Sequence, residues 1–161
     1  MHARAAELIR ALQLRPHREG GHFAEVFRSP RLVRPQGAER DRSALTTIYF
    51  LLAAGEASRW YRLDADEIWH FFEGAPLALF LLDAGARMLS RSRLGADAPG
   101  DVRVQVVPAG SWLAARPTGD YALAGCTVAP GYEDAGFVLM RDVPEAAGAV
   151  RQRFREVADL I

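Results

Sequence analysis

From Ala44 onward the chain is written in short β-type runs, and that rhythm limits the folds open to it. The runs cover residues 45–53, 57–63, 67–73, 77–83, 86–91, 102–107, 111–115, 122–128 and 137–140. Between them lie clusters such as Ala54-Gly55, Gly74-Ala75-Pro76, Asp83-Ala84-Gly85 and Ala98-Pro99-Gly100. Such clusters end strands and start turns. Many short strands at a spacing of roughly 8–12 residues predict an all-β sandwich or barrel. The ends of the chain depart from this rhythm. Ala5, Leu8, Ile9 and Leu12 recur at helical spacing, so residues 2–13 predict a helix that stops at Pro16. Residues 144–159 predict a second helix, with Asp142 as its cap, Pro144 in its first turn, and Val150, Phe154 and Val157 as its apolar stripe. Between these ends come a polar turn, Arg18-Glu19-Gly20-Gly21, a strand over 22–28, and a loop over 29–43. No second domain, repeat or low-complexity tract is visible.

Composition narrows the function. The chain has 161 residues, half of them apolar, which suits one domain with its own core. Lys and Arg together number 20, as do Asp and Glu, so the formal charge is zero. That balance argues against nucleic acid, whose phosphates call for a clustered positive field. There is no lysine, which excludes a lysine Schiff base. The single cysteine, Cys126, cannot make an internal disulfide or a multi-cysteine metal site. It reads as a small buried hydrophobe. The start is polar and the apolar stretches are only strand-sized, so no signal peptide, no membrane partner and a cytoplasmic location are expected.

Several runs are apolar on both faces. Ile48, Phe50 and Leu52 oppose Tyr49 and Leu51; Ile68 and Phe72 oppose Trp69 and Phe71. A half-exposed antiparallel strand alternates with polar residues instead. Both faces must be covered, either by a second sheet and the terminal helices or by a second subunit in a homodimer.

The stretch from Gly55 to Gly74 is dense in ionisable and aromatic residues. Its spacing resembles the first cupin motif, with Gly55, Glu67 and Gly74 in place. Pro108-Ala109-Gly110 partly echoes the second. The chain is more specifically similar to the cupin 5 subfamily. The resemblance is carried by Gly20-Gly21-His22-Phe23-Ala24-Glu25-Val26-Phe27-Arg28-Ser29 and by Asp64-Ala65-Asp66-Glu67-Ile68-Trp69-His70-Phe71. Two later blocks extend it, Val107-Pro108-Ala109-Gly110-Ser111-Trp112 and Gly125-Cys126-Thr127-Val128-Ala129-Pro130-Gly131-Tyr132. It implies a single-domain double-stranded β-helix, the cupin or jelly-roll barrel, with N- and C-terminal helices, an open pocket at one end, and a homodimer. The activity stays open, because this fold hosts many chemistries. The chain also departs from the motif. The histidines that hold metal in cupins fall at Tyr61, Leu63 and Leu113, and Glu67 alone remains. Neither a metal nor another cofactor is therefore expected.

These positions define the candidate site. Glu67, His70 and Tyr61 are the candidate catalytic groups. A carboxyl set among aromatic rings has a raised pKa, which suits general acid–base work. Strict alternation puts His70 on the face opposite Glu67, and only a bulge would bring them together. Arg28 and Glu25 are candidates to reach over the pocket mouth, where an arginine suits a carboxylate or phosphate. Trp69, Trp112, Tyr49 and Thr47 complete the substrate-binding candidates. The expected function is small-molecule binding in the barrel, with metal-independent acid–base chemistry of the isomerase or epimerase kind on a sugar- or carboxylate-type metabolite. The alternatives are a metal-dependent cupin oxygenase or isomerase, and a non-catalytic binding cupin.

Overall fold

The computed structural model of the chain describes residues 1–96 and 98–161. Helix α1 spans Ala3–Ala11. The strands in chain order are β1 (Arg15–Pro16), β2 (His22–Arg28), β3 (Leu32–Val33), β4 (Arg42–Ser43), β5 (Thr46–Ala53), β6 (Ser58–Leu63), β7 (Asp66–Gly74), β8 (Leu77–Leu82), β9 (Leu89–Leu94), β10 (Val104–Val107), β11 (Trp112–Pro117), β12 (Tyr121–Ala129) and β13 (Phe137–Leu139). Helix α2 spans Pro144–Arg153, and a 3-10 segment over Arg155–Leu160 closes the chain.

The larger strands form two facing sheets. One runs β1-β2-β5-β12-β7-β10, the other β13-β6-β11-β8-β9. All the named pairings between neighbours are antiparallel. The expected all-β jelly-roll class is found, with terminal helices, although the hydrogen bonds run in two separate sheets rather than around a closed barrel. The turn clusters placed most strands well. The run expected at 86–91 lies later, at Leu89–Leu94, because Asp83 to Met88 form a turn. There Asp83 Oδ1 accepts both the Arg87 and Met88 backbone N–H groups at 2.6 Å. The loop expected at 29–43 contains the small β3–β4 pair.

Three cores explain the doubly apolar strands. Between the sheets lie Phe50, Leu52, Trp69, Leu79 and Leu113. Behind the six-stranded sheet, Ala5 and Leu8 of α1 cover Leu51, Ala53 and Leu123. Behind the five-stranded sheet, Val150 and Val157 pack on Trp60, Trp112 and Met140. There the Trp60 indole N–H donates to the Val157 carbonyl at 3.0 Å. Two expectations for the C-terminal helix are corrected. Asp142 is not its cap; Val143 holds that position without a side-chain bond, because Asp142 is spent in the 3-10 turn Met140–Asp142. The α-helix also stops at Arg153, and only the 3-10 segment continues. Among the described residues, no helix is long and apolar enough to cross a membrane.

Candidate functional site

At one end the sheets part and leave a cavity of about 530 Å³. Its inner wall on the six-stranded sheet carries Thr46, Ile48 and Phe50 from β5, Glu67 and Trp69 from β7, and Cys126 and Val128 from β12. These residues share one face because side chains alternate along a strand. Register agrees, since Glu67 sits opposite Val128 and Trp69 opposite Cys126. Tyr61 and Leu63 of β6 face them from the other sheet, with Phe137 of β13.

The chemistry centres on Glu67. Its residue is 5 % exposed, and Tyr61 Oη donates to Glu67 Oε2 at 2.6 Å. Burial pushes the Glu67 carboxyl up to about 7, against the opposing pull of the Tyr61 hydroxyl and the Trp69 N–H. The Trp69 indole is near enough to exert that pull, yet its Nε1 makes no hydrogen bond of normal geometry. Tyr61 stacks on Phe137 at 5.4 Å, and burial together with the Glu67 charge raises its phenol well above the usual range. Glu67 therefore holds both protonation states near neutral pH, which is what a general acid–base group requires.

A second set of groups comes from the segment joining β1 and β2. Gly20 and Gly21 both have positive φ, +112° and +74°. A Cβ on Gly20 would lie 2.1 Å from the Ala57 carbonyl oxygen, so only glycine lets this segment approach so closely. The approach buries Glu19, whose Oε1 accepts from Ser58 Oγ at 2.9 Å, and whose carbonyl accepts from the Arg59 N–H at 2.9 Å. Burial, then the Glu67 charge, raises the Glu19 carboxyl well above the usual range. His17 packs edge-on against Phe23 and Phe50. Burial and the Arg18 charge lower its pKa to about 4. Its Nδ1 accepts from the Glu19 N–H at 3.4 Å, so the proton of the neutral ring sits on Nε2.

Arginines ring the mouth. Arg28 makes a two-pronged pair with Glu25 at 3.1 and 2.8 Å and donates to the Tyr132 carbonyl at 3.1 Å. Arg18 lies 3.7 Å above the Phe137 ring and bonds Tyr132 Oη and Asp134. Arg15 lies over Phe23. The mouth thus carries three arginines, two of them paired with the carboxylates of Glu25 and Asp134, above a floor of proton-exchanging groups.

Of the residues expected here, Glu67, Tyr61, Trp69, Glu25 and Arg28 line the cavity. Four do not. His70 points to the outer face, opposite Glu67. The β7 bulge that could have turned it inward falls at Phe72, after His70. Thr47 and Tyr49 are also on the outer face. Thr47 Oγ1 meets Thr127 Oγ1 at 3.0 Å, and Tyr49 packs edge-on to Phe72. Their neighbours Thr46, Ile48 and Phe50 take the cavity side. Trp112 belongs to the core behind the five-stranded sheet, under the Arg62 guanidinium. His17, Arg18, Glu19 and Tyr132 were not expected in the site. A buried carboxyl in a turn leaves no periodic trace, and the adjacent glycines were the one signal of close approach.

The cupin metal positions do not fit a metal. Leu63 and Leu113 are core side chains, and Tyr61 and Glu67 bond each other. Among the described residues no three His, Cys, Asp or Glu side chains form a group able to hold a metal ion.

The model of a family described as "Cupin superfamily (DUF985)" matches residues 6–140. A crystal structure of a Shewanella oneidensis protein is 30% identical, with a TM-score of 0.84, covering 97% of this chain and 95% of its own. A hypothetical protein from Leishmania major is 29% identical, with a TM-score of 0.80, covering 92% and 97%. A cupin 2 conserved barrel domain protein from Rhodopseudomonas palustris shares the fold at 16% identity, with a TM-score of 0.56, covering 92% and 88%. No curated protein matches.

Proposed function

The chain belongs to the DUF985 family of the cupin superfamily, and on that premise we propose that it binds a small anionic metabolite and moves a proton on it. The observation that carries this reading is the Glu67 carboxyl, buried in the cavity wall, bonded to Tyr61 and balanced near pH 7. The cavity is large enough for a sugar or a carboxylic acid of metabolite size. The arginine mouth suits a phosphate or carboxylate on the ligand's outer end. The inner end, a carbonyl and its neighbouring C–H, then lies against Glu67. Removing that proton yields an enolate, and returning it completes an isomerisation or epimerisation.

The test is hydrogen exchange. Sugar phosphates and 2-oxo or 2-hydroxy carboxylates are incubated with the protein in D2O and followed by proton NMR. The expected result is deuterium beside the carbonyl of at least one compound. E67Q should slow that exchange at least 100-fold, in line with the usual contribution of acid–base groups, while its melting curve stays cooperative. Wild-type exchange rates in E67Q would overturn the reading.

The homodimer is also a proposal. Phe72, Val104 and Val106 are about half exposed on the outer face of neighbouring strands β7 and β10, at the sheet edge. A second copy of this strip covers it. Sedimentation should give a dimer for the wild type and a monomer for the V104D/V106D double variant; a wild-type monomer would remove it.

A further inference from the structure

Of the carboxyl groups lining the cavity, Glu19 and Glu67 are the two that are buried, and they are held by opposite sheets. Glu67 belongs to β7 of the six-stranded sheet. Glu19 is tied by its side chain to Ser58 of β6, in the five-stranded sheet, and by its carbonyl to the next N–H along. Resting on the proton-transfer reading above, we propose that Glu19 is the second proton-transfer residue of this site, delivering a proton to one face of the substrate carbon while Glu67 removes one from the other.

A purely structural buried glutamate is normally neutralised by a cation. The chain has arginine to spare, 20 residues of it. Yet the side-chain hydrogen bond Glu19 makes is to a neutral hydroxyl, and the nearby Arg18, whose charge reaches it, bonds Tyr132 and Asp134 instead. The near neighbour of Glu19, His17 at 3.7 Å, is held neutral by burial. The same segment seats Glu19 at a fixed position, because the Gly20 backbone touches Ala57 and no other residue fits there. The Glu67 charge favours the protonated form of Glu19. Two interacting carboxyls therefore divide into an acid and a base, as such pairs do when their surroundings set them apart.

The step balances as follows. Ionised Glu67 takes the proton, the C–H bond breaks, and its electron pair moves onto the carbonyl oxygen as an enolate. The enolate then takes the proton from Glu19 on the opposite face, so the Glu19 O–H breaks as a new C–H forms. The centre is inverted, Glu67 is left protonated and Glu19 ionised, and both reset by exchange with water at the mouth.

The experiment separates exchange from inversion, using sugar phosphates and 2-hydroxy carboxylates that bear a stereocentre beside a carbonyl or carboxyl group, in D2O. Wild type should exchange and invert. E19Q should keep exchange within a few-fold and lose inversion by at least 100-fold. E67Q should lose both. S58A, which keeps the carboxyl but frees it, should lower inversion relative to exchange, and it covers the case of E19Q failing to fold. In the ligand-free protein, carbon-13 NMR of labelled glutamate should show Glu19 titrating above ordinary carboxylates, and moving down in E67Q. Wild-type inversion in E19Q, loss of both processes in E19Q, or an ordinary Glu19 titration would each overturn this assignment alone. Undiminished exchange in E67Q, or a wild type inert toward every compound, would instead overturn the proton-transfer reading on which it rests.

Discussion

The two faces of β7 are one residue apart in sequence and do opposite work. Inward, Glu67 and Trp69 are sealed between two sheets, where burial alone moves a carboxyl by more than two pH units toward neutrality. Outward, Ile68, His70 and Phe72 are half-buried or exposed. The residue types on the outer face look at least as functional, and histidine is the usual acid–base side chain. What differs is dielectric and geometry. A polar group in water is ordinary, while a polar group without water is reactive or costly.

Four measurements test how far that contrast goes. The largest effect is expected for Trp69→Ala. Trp69 is 1 % exposed and packs edge-on to Phe50, so removing it should cost about 4 kcal/mol in denaturant unfolding. A loss below about 1 kcal/mol would mean the inner face is loosely packed. Next comes pH. Glu67 titrates at 4.5 when unfolded and about 7 when folded. The stability it contributes is complete below 4.5 and is lost as pH rises through 7, by about 3 kcal/mol. His17 has the opposite sign. It titrates at 6.5 unfolded and about 4 folded, so its contribution is complete above 6.5 and is lost as pH falls through 4. Melting curves from pH 4 to 8 should thus tilt toward acid loss in E67Q and toward alkaline loss in H17Q. Parallel profiles for the two variants would refute the inner-face titrations. Third, Gly20→Ala meets both a left-handed backbone and a carbonyl, and should cost about 2 kcal/mol while lowering ligand affinity. The smallest effect belongs to the outer face. His70→Ala should change stability by less than about 1 kcal/mol and leave D2O exchange unchanged, since His70 has no place in the cavity. Loss of exchange in that variant would erase the distinction between the faces.

The sequence resolved what is periodic and missed what is not. Turn clusters delimit most strands because glycine and proline act locally, and the alternation of Glu67 with Trp69 places both on one face without any tertiary knowledge. The same alternation puts His70 outside, and β7 obeys it. Thr47 and Tyr49 share a face of β5, but the strand is apolar on both faces, so composition cannot tell a cavity wall from a surface covered by α1. Trp112 lies in the core behind the five-stranded sheet, and a core tryptophan and a ligand-stacking one read alike in sequence. His17 and Glu19 lay beyond reach for a different cause. They lie in a segment without period; the burial of Glu19 depends on β6, some forty residues along the chain, and that of His17 on Phe50 and, farther still, Phe137. The fold is written in local patterns, whereas half of the cavity is written in a contact between distant segments.

The Tyr61–Glu67 bond joins the five-stranded layer to the six-stranded one. It is therefore a latch as well as a chemical group. With Glu67 ionised the bond is charge-assisted and short; once the carboxyl is protonated it becomes an ordinary bond of roughly half the strength. Each proton that arrives at Glu67 thus weakens this one tie between the layers, on the floor of the cavity, even as it relieves the cost of burying a charge. The cavity carries a mechanical record of its own protonation.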